Sequence, residues 1–312
     1  MFKHKRQAGS GLHIYKLKKM QTMAIILLIV LVVTVPILMI SKLQNKLGNE
    51  KRELLRQWEA GDYEQVYEIS KNALINKPLD YFLLTINGFA SFELGISQIN
   101  NHNTFIFIDE SIHSLRKALL QKESTNDGRV YYVLGKAYGY KGDEYADLTI
   151  NYLENALRLS YNADDINEFL GLAYAAVGDY RSSVEVFTQA LASSQKATDK
   201  LLLSIARSYL ALEENDIAKA YLLRCLDISN DIRSIVTARF LLADVLVKTG
   251  DDEAAENQYN SIIYESGENA EARYQLGELY NRQGDTTRAR SEWRMAYRLD
   301  PAHARARQRL NI

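Results

Sequence analysis

The sequence predicts an all-α protein in which a helical repeat array follows one transmembrane helix. Two observations support this prediction. First, a large aliphatic residue followed by Gly or Ala recurs along the chain, with the small residue at 135, 171, 206, 243 and 277, so that the steps are 36, 35, 37 and 34 residues. Second, 22 consecutive residues between Lys19 and Lys42 carry no charge. A period this regular indicates a repeat array, and an uncharged run of this length is typical of a membrane span.

The clearest template for one repeat runs from Asp164 to Leu191. It contains a predicted helix, a turn at Gly178-Asp179 and a second predicted helix. A small residue after the leucine lets two antiparallel helices approach closely. Gly-Asp at the turn supplies a left-handed backbone position and a side-chain acceptor that can start the next helix. The residues expected to pack the two helices are Leu170, Gly171, Tyr174, Ser183, Phe187, Ala190 and Leu191.

This spacing resembles the tetratricopeptide repeat (TPR), which spreads an aromatic residue, Leu-Gly, Tyr, Ala, a second aromatic residue and Pro over about 34 residues. The cleanest copy contains Leu276, Gly277, Tyr280, Gly284, Asp285, Ala289, Trp293, Ala296 and Pro301. The resemblance implies a helix-turn-helix solenoid of about seven repeats over residues 46–303, followed by a capping helix at 304–312. The expected repeats lie near 47–80, 81–125, 128–161, 164–197, 199–232, 236–269 and 270–303.

Two repeats depart from this template. The second has about ten extra residues around 96–107, which we interpret as an inserted loop that follows a turn at Gly95. Insertions in repeat proteins map to loops on one face of the array. The third repeat has a turn that is about two residues longer, between Gly142 and Asp147.

The N-terminal residues are interpreted as a membrane anchor. Segment 1–19 is basic without an acidic residue, and segment 20–41 is uncharged. At 1.5 Å per residue, a helix over 20–41 would cross a hydrocarbon layer of about 30 Å, so we expect a single-pass helix that contacts the lipid bilayer. The alternative is a cleaved signal peptide. Residues 37–42 lack the paired small residues that signal peptidase requires, and the apolar run is too long, which favours an uncleaved signal anchor.

The orientation of this anchor is predicted from the numbers of basic residues on the two sides of the span, which are nearly equal. Six Lys or Arg residues precede the span, and five follow it closely: Lys42, Lys46, Lys51, Arg52 and Arg56. A short basic N-terminus ordinarily stays in the cytoplasm, which predicts repeats in the periplasm of a bacterium. The opposite topology, with cytosolic repeats on an organelle surface, stays open.

Composition narrows the range of partners and sites. The net charge is -1 at pH 7, which gives no reason to expect nucleic acid as a partner. Cys225 is the only cysteine and falls at a small, buried position of the repeat, so we expect a packing role. A single thiol cannot form an internal disulfide.

One cluster of potential metal ligands lies in and after the insertion. His102, Asp109, Glu110 and His113 supply nitrogen and oxygen donors. However, the sequence contains no HExxH motif, no glycine-rich phosphate loop and no Gly-x-Ser-x-Gly elbow. Histidines in a polar loop are ordinarily surface residues, so we predict no catalytic residue, metal or cofactor. The competing enzyme hypothesis is a hydrolase with its site around His102 and His113.

Since the sequence indicates neither catalysis nor nucleic-acid binding, we predict that the protein binds other proteins. In the TPR family the first helix of each repeat lines a concave groove, and the resemblance implies the same arrangement here. Aromatic residues beside charges of both signs suit an extended peptide or a helix of a partner protein. The expected groove residues are Tyr132, Lys136, Tyr140, Leu203, Arg207, Phe240, Asp244, Tyr274 and Glu278.

We therefore predict a membrane-anchored, non-catalytic scaffold that binds proteins and organises a cell-envelope or motility assembly. The alternative is a cytosol-facing TPR receptor, or a chaperone-like accessory factor for protein secretion or import. The C-terminal end has two interpretations, a solvated cap or a basic docking patch for an acidic partner or lipid headgroups. Its arginines are Arg288, Arg290, Arg294, Arg298, Arg305, Arg307 and Arg309.

Overall fold

The computed structural model describes residues 48–97, 101–121, 127–193, 197–266 and 269–312, with the side chains of 101 and 102 excepted. The basic segment 1–19 and the predicted membrane span 20–41 lie outside the described residues. Every regular element in the described part is helical. Among these helices, none combines the length and the apolar character that crossing a membrane would require.

Fifteen α-helices follow one another in the described part of the chain. The first, α1, covers 48–59. The others are α2 (Tyr63–Asn76), α3 (Tyr81–Ser97), α4 (Asn101–Leu119), α5 (Gly128–Lys141), α6 (Ala146–Arg158), α7 (Ile166–Ala176), α8 (Tyr180–Ser193), α9 (Asp199–Ala211), α10 (Asn215–Ile228), α11 (Ile232–Thr249), α12 (Asp252–Ser266), α13 (Ala270–Arg282), α14 (Thr286–Leu299) and α15 (Ala304–Leu310).

The helices form a solenoid in which each helix from α2 onward packs against the next. The odd-numbered helices also contact each other directly, α3 with α5, α5 with α7, α7 with α9, and α9 with α11. The even-numbered helices make at most weak contacts with each other in the described part. The odd-numbered helices therefore line the inner face of the array, and the even-numbered helices lie outside.

The turn between α7 and α8 shows how the sequence ends one helix and starts the next. Gly178 has φ +81°, a left-handed conformation that Gly adopts without strain. The Asp179 carboxylate then accepts a hydrogen bond from the backbone N–H of Ser182 at 3.2 Å, which caps α8. Asp285 caps α14 in the same way through the N–H of Arg288 at 2.9 Å.

Close helix crossings explain why a small residue follows the leucine in each repeat. A Cβ placed on Gly171 would lie 2.5 Å from the ring of Phe187, which is 1% exposed. A Cβ on Gly277 would lie 2.6 Å from the indole of Trp293. The small residue on the first helix thus accepts the large ring of the second, and the core is built between neighbouring helices.

The prediction of an inserted loop at 96–107 is wrong for the residues that the structure describes there, 96–97 and 101–107, all of which are helical. They lengthen two helices, since α3 has 17 residues and α4 has 19. Gly95 lies inside α3 and is buried, and a Cβ there would approach the side chain of Ile108 to 3.0 Å. Gly95 therefore permits close packing of α3 on α4 and does not form a turn. The longer turn at Gly142 is confirmed as a short 3₁₀-helix, Asp143–Tyr145.

A buried polar network joins α2, α3 and α4. Asn87 is fully buried and donates a hydrogen bond to Ser70 Oγ at 3.0 Å. It also accepts one from Ser114 Oγ at 2.9 Å. The buried amide of Asn87 thus has a side-chain partner for both its nitrogen and its oxygen.

Candidate protein-binding face

A row of aromatic rings runs along the inner face from α1 to α7. The ring centroids of Trp58 and Phe89 are 6.3 Å apart. Phe92 meets Tyr140 edge to face at 5.8 Å, and Tyr140 lies 5.9 Å from Phe169. Such separations are typical of favourable aromatic pairs. The row crosses four odd-numbered helices, so it exists only because those helices are adjacent.

Lys136 lies near the centre of this row. Its Nζ donates to Asp165 Oδ2 at 2.7 Å and to Tyr132 Oη at 3.1 Å. The same Nζ lies 4.9 to 5.5 Å from the ring centroids of Phe92, Tyr132 and Phe169, within cation–π range. Tyr132 donates to the other oxygen of Asp165 at 2.6 Å, and burial together with this carboxylate raises the pKa of Tyr132. We call Lys136 with Asp165 and these three rings the lysine cage.

A cleft of about 490 Å³ opens beside the lysine cage, between α1, α3 and α5. We call it the aromatic cleft. Most of its wall is apolar, and its main hydrophobic residues are Leu55, Trp58, Phe82, Phe89, Phe92 and Tyr132. A cleft of this volume accommodates a few side chains of a bound segment.

Three charged residues line the aromatic cleft. Arg129 donates to both oxygens of Asp127, from Nε at 3.1 Å and from Nη2 at 3.2 Å, and Tyr81 Oη donates to the same carboxylate at 3.0 Å. Glu93 has no hydrogen bond or ion pair with a described side chain. Burial raises the pKa of Glu93, and the charge of Lys136 opposes that shift.

A second cleft of about 460 Å³ continues the inner face between α5, α7 and α9. Phe169 and Leu172 of α7 line it together with Ser204 and Arg207 of α9. Arg207 is exposed and presents its charge to this cleft. Phe92 and Tyr132 of the lysine cage also line the aromatic cleft, and Phe169 of the cage also lines the second cleft. The lysine cage therefore lies between the two clefts.

Six of the nine predicted groove residues retain accessible surface and lie in three places on the array. Tyr132, Lys136 and Tyr140 meet at the lysine cage, and Arg207 lines the second cleft. Phe240 is half-buried against Tyr259, with centroids 6.3 Å apart. Asp244 remains partly exposed, although burial of its carboxylate raises its pKa.

The other three predicted groove residues offer little free surface. Leu203 is 7% exposed and packs in the core of the C-terminal repeats. Tyr274 is equally buried, with the guanidinium of Arg305 4.7 Å above its ring. Glu278 accepts a hydrogen bond from Arg309 Nε at 2.8 Å. The helix α15 thus covers the inner face at Tyr274 and Glu278.

Sequence reasoning missed the aromatic cleft, although a signal for it exists. Tyr132, Lys136 and Tyr140 stand three residues before, one after and five after Gly135. The same offsets from Gly88 of α3 give Thr85, Phe89 and Glu93, and all three line the cleft. The signal was hidden because no leucine precedes Gly88 and the first two repeats match the template poorly.

The potential metal ligands do not converge in the described part. Asp109 pairs with Lys141 Nζ at 2.6 Å, and His113 is exposed on α4. The side chain of His102 lies outside the described residues. No group of three or more His, Cys, Asp or Glu side chains suited to a metal ion occurs among the described residues.

Two further predictions can be compared with the structure. Cys225 is fully buried in the core, as predicted, and burial raises its pKa to about 11. Among the C-terminal arginines, Arg305 bonds to Glu271 at 2.6 Å, and Arg288 Nε bonds to Asp285 at 2.6 Å. The arginines that form no ion pair with a described residue are Arg290, Arg294, Arg298 and Arg307, all of them exposed.

Comparison with known proteins agrees with this architecture. Residues 203–267 and 240–304 match the family model of the tetratricopeptide repeat. These residues form tetratricopeptide repeats. The matched stretch covers α9 to α14 and includes the copy with Leu276-Gly277 and Gly284-Asp285. No curated protein matches the chain.

Solved structures extend the likeness to most of the array. The C-terminal part of a TPR repeat-containing protein from Cytophaga hutchinsonii superposes with a TM-score of 0.61 at 15% identity, covering 84% of this chain and 99% of that one. YrrB, described as a TPR protein with an unusual peptide-binding site, gives a TM-score of 0.52 at 20% identity, covering 64% of this chain and 100% of YrrB. PilF of Pseudomonas aeruginosa gives a TM-score of 0.51 at 17% identity, covering 72% and 96%. The described array thus has the fold of a TPR solenoid.

Proposed function

We propose that this protein is a non-catalytic TPR scaffold that is held at a membrane by residues 20–41 and binds protein partners through its inner face. The observation that carries the proposal is the set of half-buried rings that line the aromatic cleft beside the lysine cage and Glu93, namely Trp58, Phe89 and Tyr132. These rings come from three neighbouring helices, and each packs against the core while part of it stays accessible at the cleft. Rings of this kind supply large contact areas with little loss of conformational entropy.

We assign a different role in partner binding to each group of residues on the inner face. The rings of the aromatic cleft would bury apolar side chains of the partner. The lysine cage fixes α5 against α7, so the surface is organised before the partner arrives. Charges at Glu93 and Arg207 would set the register of the bound segment. YrrB is described as having a peptide-binding site, and a peptide segment is also the ligand class proposed here.

The membrane anchor would raise the local concentration of bound partners at the bilayer. Six residues, 42–47, separate the proposed span from α1, so the array would start within about 25 Å of the bilayer. A partner bound there would be held at the same membrane as the scaffold, and this proximity would strengthen further contacts between them. We propose that the repeats face the periplasm and serve an envelope or motility assembly. A cytosol-facing receptor or secretion factor is the alternative topology.

The binding proposal is tested by crosslinking in native membranes. A Trp58→Ala/Phe89→Ala double variant removes two rings of the aromatic cleft. The matched control is Tyr264→Ala, which removes a ring that is 90% exposed on α12. We expect wild type and control to capture the same proteins and the cleft variant to lose them. Retention of those proteins by the cleft variant would contradict the proposed binding surface.

The anchor is tested separately. We expect the chain to stay with membranes after alkaline extraction, and a variant lacking 20–41 to be released. Protease added to intact spheroplasts is expected to digest the repeats, because the proposed topology places them outside the inner membrane. Protection of the repeats until the membrane is permeabilised supports the cytosolic topology instead.

A further inference from the structure

Glu93 is the one acidic residue of the aromatic cleft whose charge is not matched by a bonded cation. It follows Phe92 directly in sequence and stands four residues after Phe89, on the surface of α3 that lines the cleft. Its carboxylate is partly removed from water, and a carboxylate in such surroundings is costly unless a cation approaches it.

The two cations of α5 at the cleft, Arg129 and Lys136, are already engaged with carboxylates, whereas Lys51 of α1 lies over the Phe82 ring with its Nζ 4.9 Å from the centroid. Arg129 makes two hydrogen bonds to Asp127. Lys136 Nζ bonds to Asp165 and to Tyr132, and its side chain is 13% exposed. Neither residue can turn toward Glu93 without breaking a charge-assisted bond, which is stronger than a hydrogen bond between neutral groups.

The neighbouring lysine cage shows how this inner face holds an ammonium group. There, one carboxylate and three rings surround Lys136 Nζ at distances of 2.7 Å to oxygen and 4.9 to 5.5 Å to ring centroids. The aromatic cleft combines the same two kinds of groups, a carboxylate at Glu93 and rings that include Trp58, Phe89 and Phe92. Cation–π attraction and a carboxylate favour the same ligand, a side chain with a positive charge.

From this chemistry we infer that the aromatic cleft binds a protein segment in which a Lys or Arg side chain stands between apolar side chains, with the positive charge on Glu93 and the apolar groups on Trp58 and Phe89. This inference rests on the proposed function and specifies its ligand. An acidic segment fits less well, because its carboxylate would meet Glu93 while Arg129 and Lys136 remain bonded to their own aspartates. Like charges in a partly dehydrated cleft repel each other strongly.

The test uses the full-length protein in nanodiscs and a random peptide library displayed on phage. Peptides are selected in parallel on wild type, on Glu93→Gln and on Glu185→Gln. Glu185 is an exposed residue of α8 outside both clefts, so its substitution controls for the loss of one negative charge. We expect wild type and Glu185→Gln to enrich peptides in which Lys or Arg is flanked by aromatic or aliphatic residues. Glu93→Gln is expected to lose the preference for the basic residue.

A double-mutant cycle then tests the pairing directly. One selected peptide is synthesised with its basic residue and with Met in its place, and fluorescence anisotropy gives the affinity of each for wild type and Glu93→Gln. We expect each single change to weaken binding at least about tenfold, and both changes together to weaken it little further. Additive losses would show that the basic residue does not pair with Glu93 and would overturn the inference.

The outcomes distinguish this inference from the proposed function. Enriched peptides that are apolar without a basic residue, and that lose binding to Trp58→Ala/Phe89→Ala, support the cleft as a binding surface and overturn the assignment to Glu93. Enrichment of acidic peptides overturns the assignment in the same way. A wild-type selection that enriches no peptide contradicts the proposed binding function itself.

Discussion

Lys136 and Asp165 join the first helices of two neighbouring repeats through an ion pair of 2.7 Å between Nζ and Oδ2. The Lys136→Met variant keeps the apolar stem among the rings but removes the charge. We expect it to lower the free energy of unfolding by about 1 to 2 kcal/mol, because a charge-assisted hydrogen bond at a largely buried ammonium is lost. Urea denaturation followed by circular dichroism measures this change.

The matched control for that variant is Lys141→Met on the same helix. Lys141 pairs with Asp109, whose side chain is 59% exposed, so the pair is screened by water. We expect a loss below about 1 kcal/mol. Equal losses at both positions would contradict the stabilising role given to the lysine cage.

Two Gly→Ala substitutions inside helices test the close crossing in the repeat. Gly171→Ala puts a methyl group 2.5 Å from the Phe187 ring, and we expect a loss of about 1 to 3 kcal/mol. Gly139→Ala places its Cβ no closer than 3.4 Å to Phe169, so the better helix propensity of Ala should raise stability by about 0.5 to 1 kcal/mol. Thermal unfolding midpoints should therefore shift in opposite directions, and shifts of the same sign would argue against the described packing.

Glu93→Gln should stabilise the isolated protein at neutral pH. Burial raises the pKa of Glu93 above its ordinary value of 4.5, so the ionised form is less favourable in the folded state than in the unfolded state. This penalty is fully present above the folded-state pKa and disappears as the pH falls toward 4.5 and below. Urea midpoints of variant and wild type should differ at pH 7 and converge near pH 4. A variant less stable than wild type at pH 7 would contradict the burial penalty at Glu93.

Glu271 on α13 should show the opposite pH dependence. Burial alone would raise its pKa, but hydrogen bonds from Gln275, Arg305 and His303 and the charge of Arg305 lower it on balance below 4.5. Its ionised form therefore stabilises the fold above about pH 4.5, and this contribution is lost as the pH falls through the lowered folded-state pKa. We expect Glu271→Gln to be less stable than wild type at pH 7, and this difference to shrink steadily as the pH falls below 4.5. A difference that stays constant as the pH falls would assign the effect to packing instead.

The repeat architecture could be predicted because its signal depends on local spacing. Gly171 and Phe187 stand 16 residues apart in one template, and the same relation recurs at Gly277 and Trp293. Two helices cross at close range in each repeat, so the pairing of a small residue with a large ring recurs in the sequence. The inserted loop was a wrong prediction for the opposite reason. The asparagines at 101 and 103 have low helix propensity, but packing of Gly95 on Ile108 and of Tyr67 on Phe107 favours helix there.

The candidate site could be predicted only in part. Tyr132, Lys136 and Tyr140 share one helix, so their common face follows from helical spacing. Asp165 and Phe92 come from neighbouring repeats, and no single-repeat pattern shows that they close around Lys136. Tyr274 satisfies the same offset, yet α15 packs over it. The offset describes which face of a helix a residue occupies, and it does not describe what else covers that face.

The buried position of Cys225 has a practical consequence. A thiolate is the form that reacts with maleimides, and a thiol with a pKa near 11 and no exposed surface supplies almost none of it at neutral pH. The folded protein therefore has almost no reactivity toward maleimides at neutral pH. A cysteine placed at any exposed position can carry a single spectroscopic probe, and the native Cys225 can stay in the core where it packs.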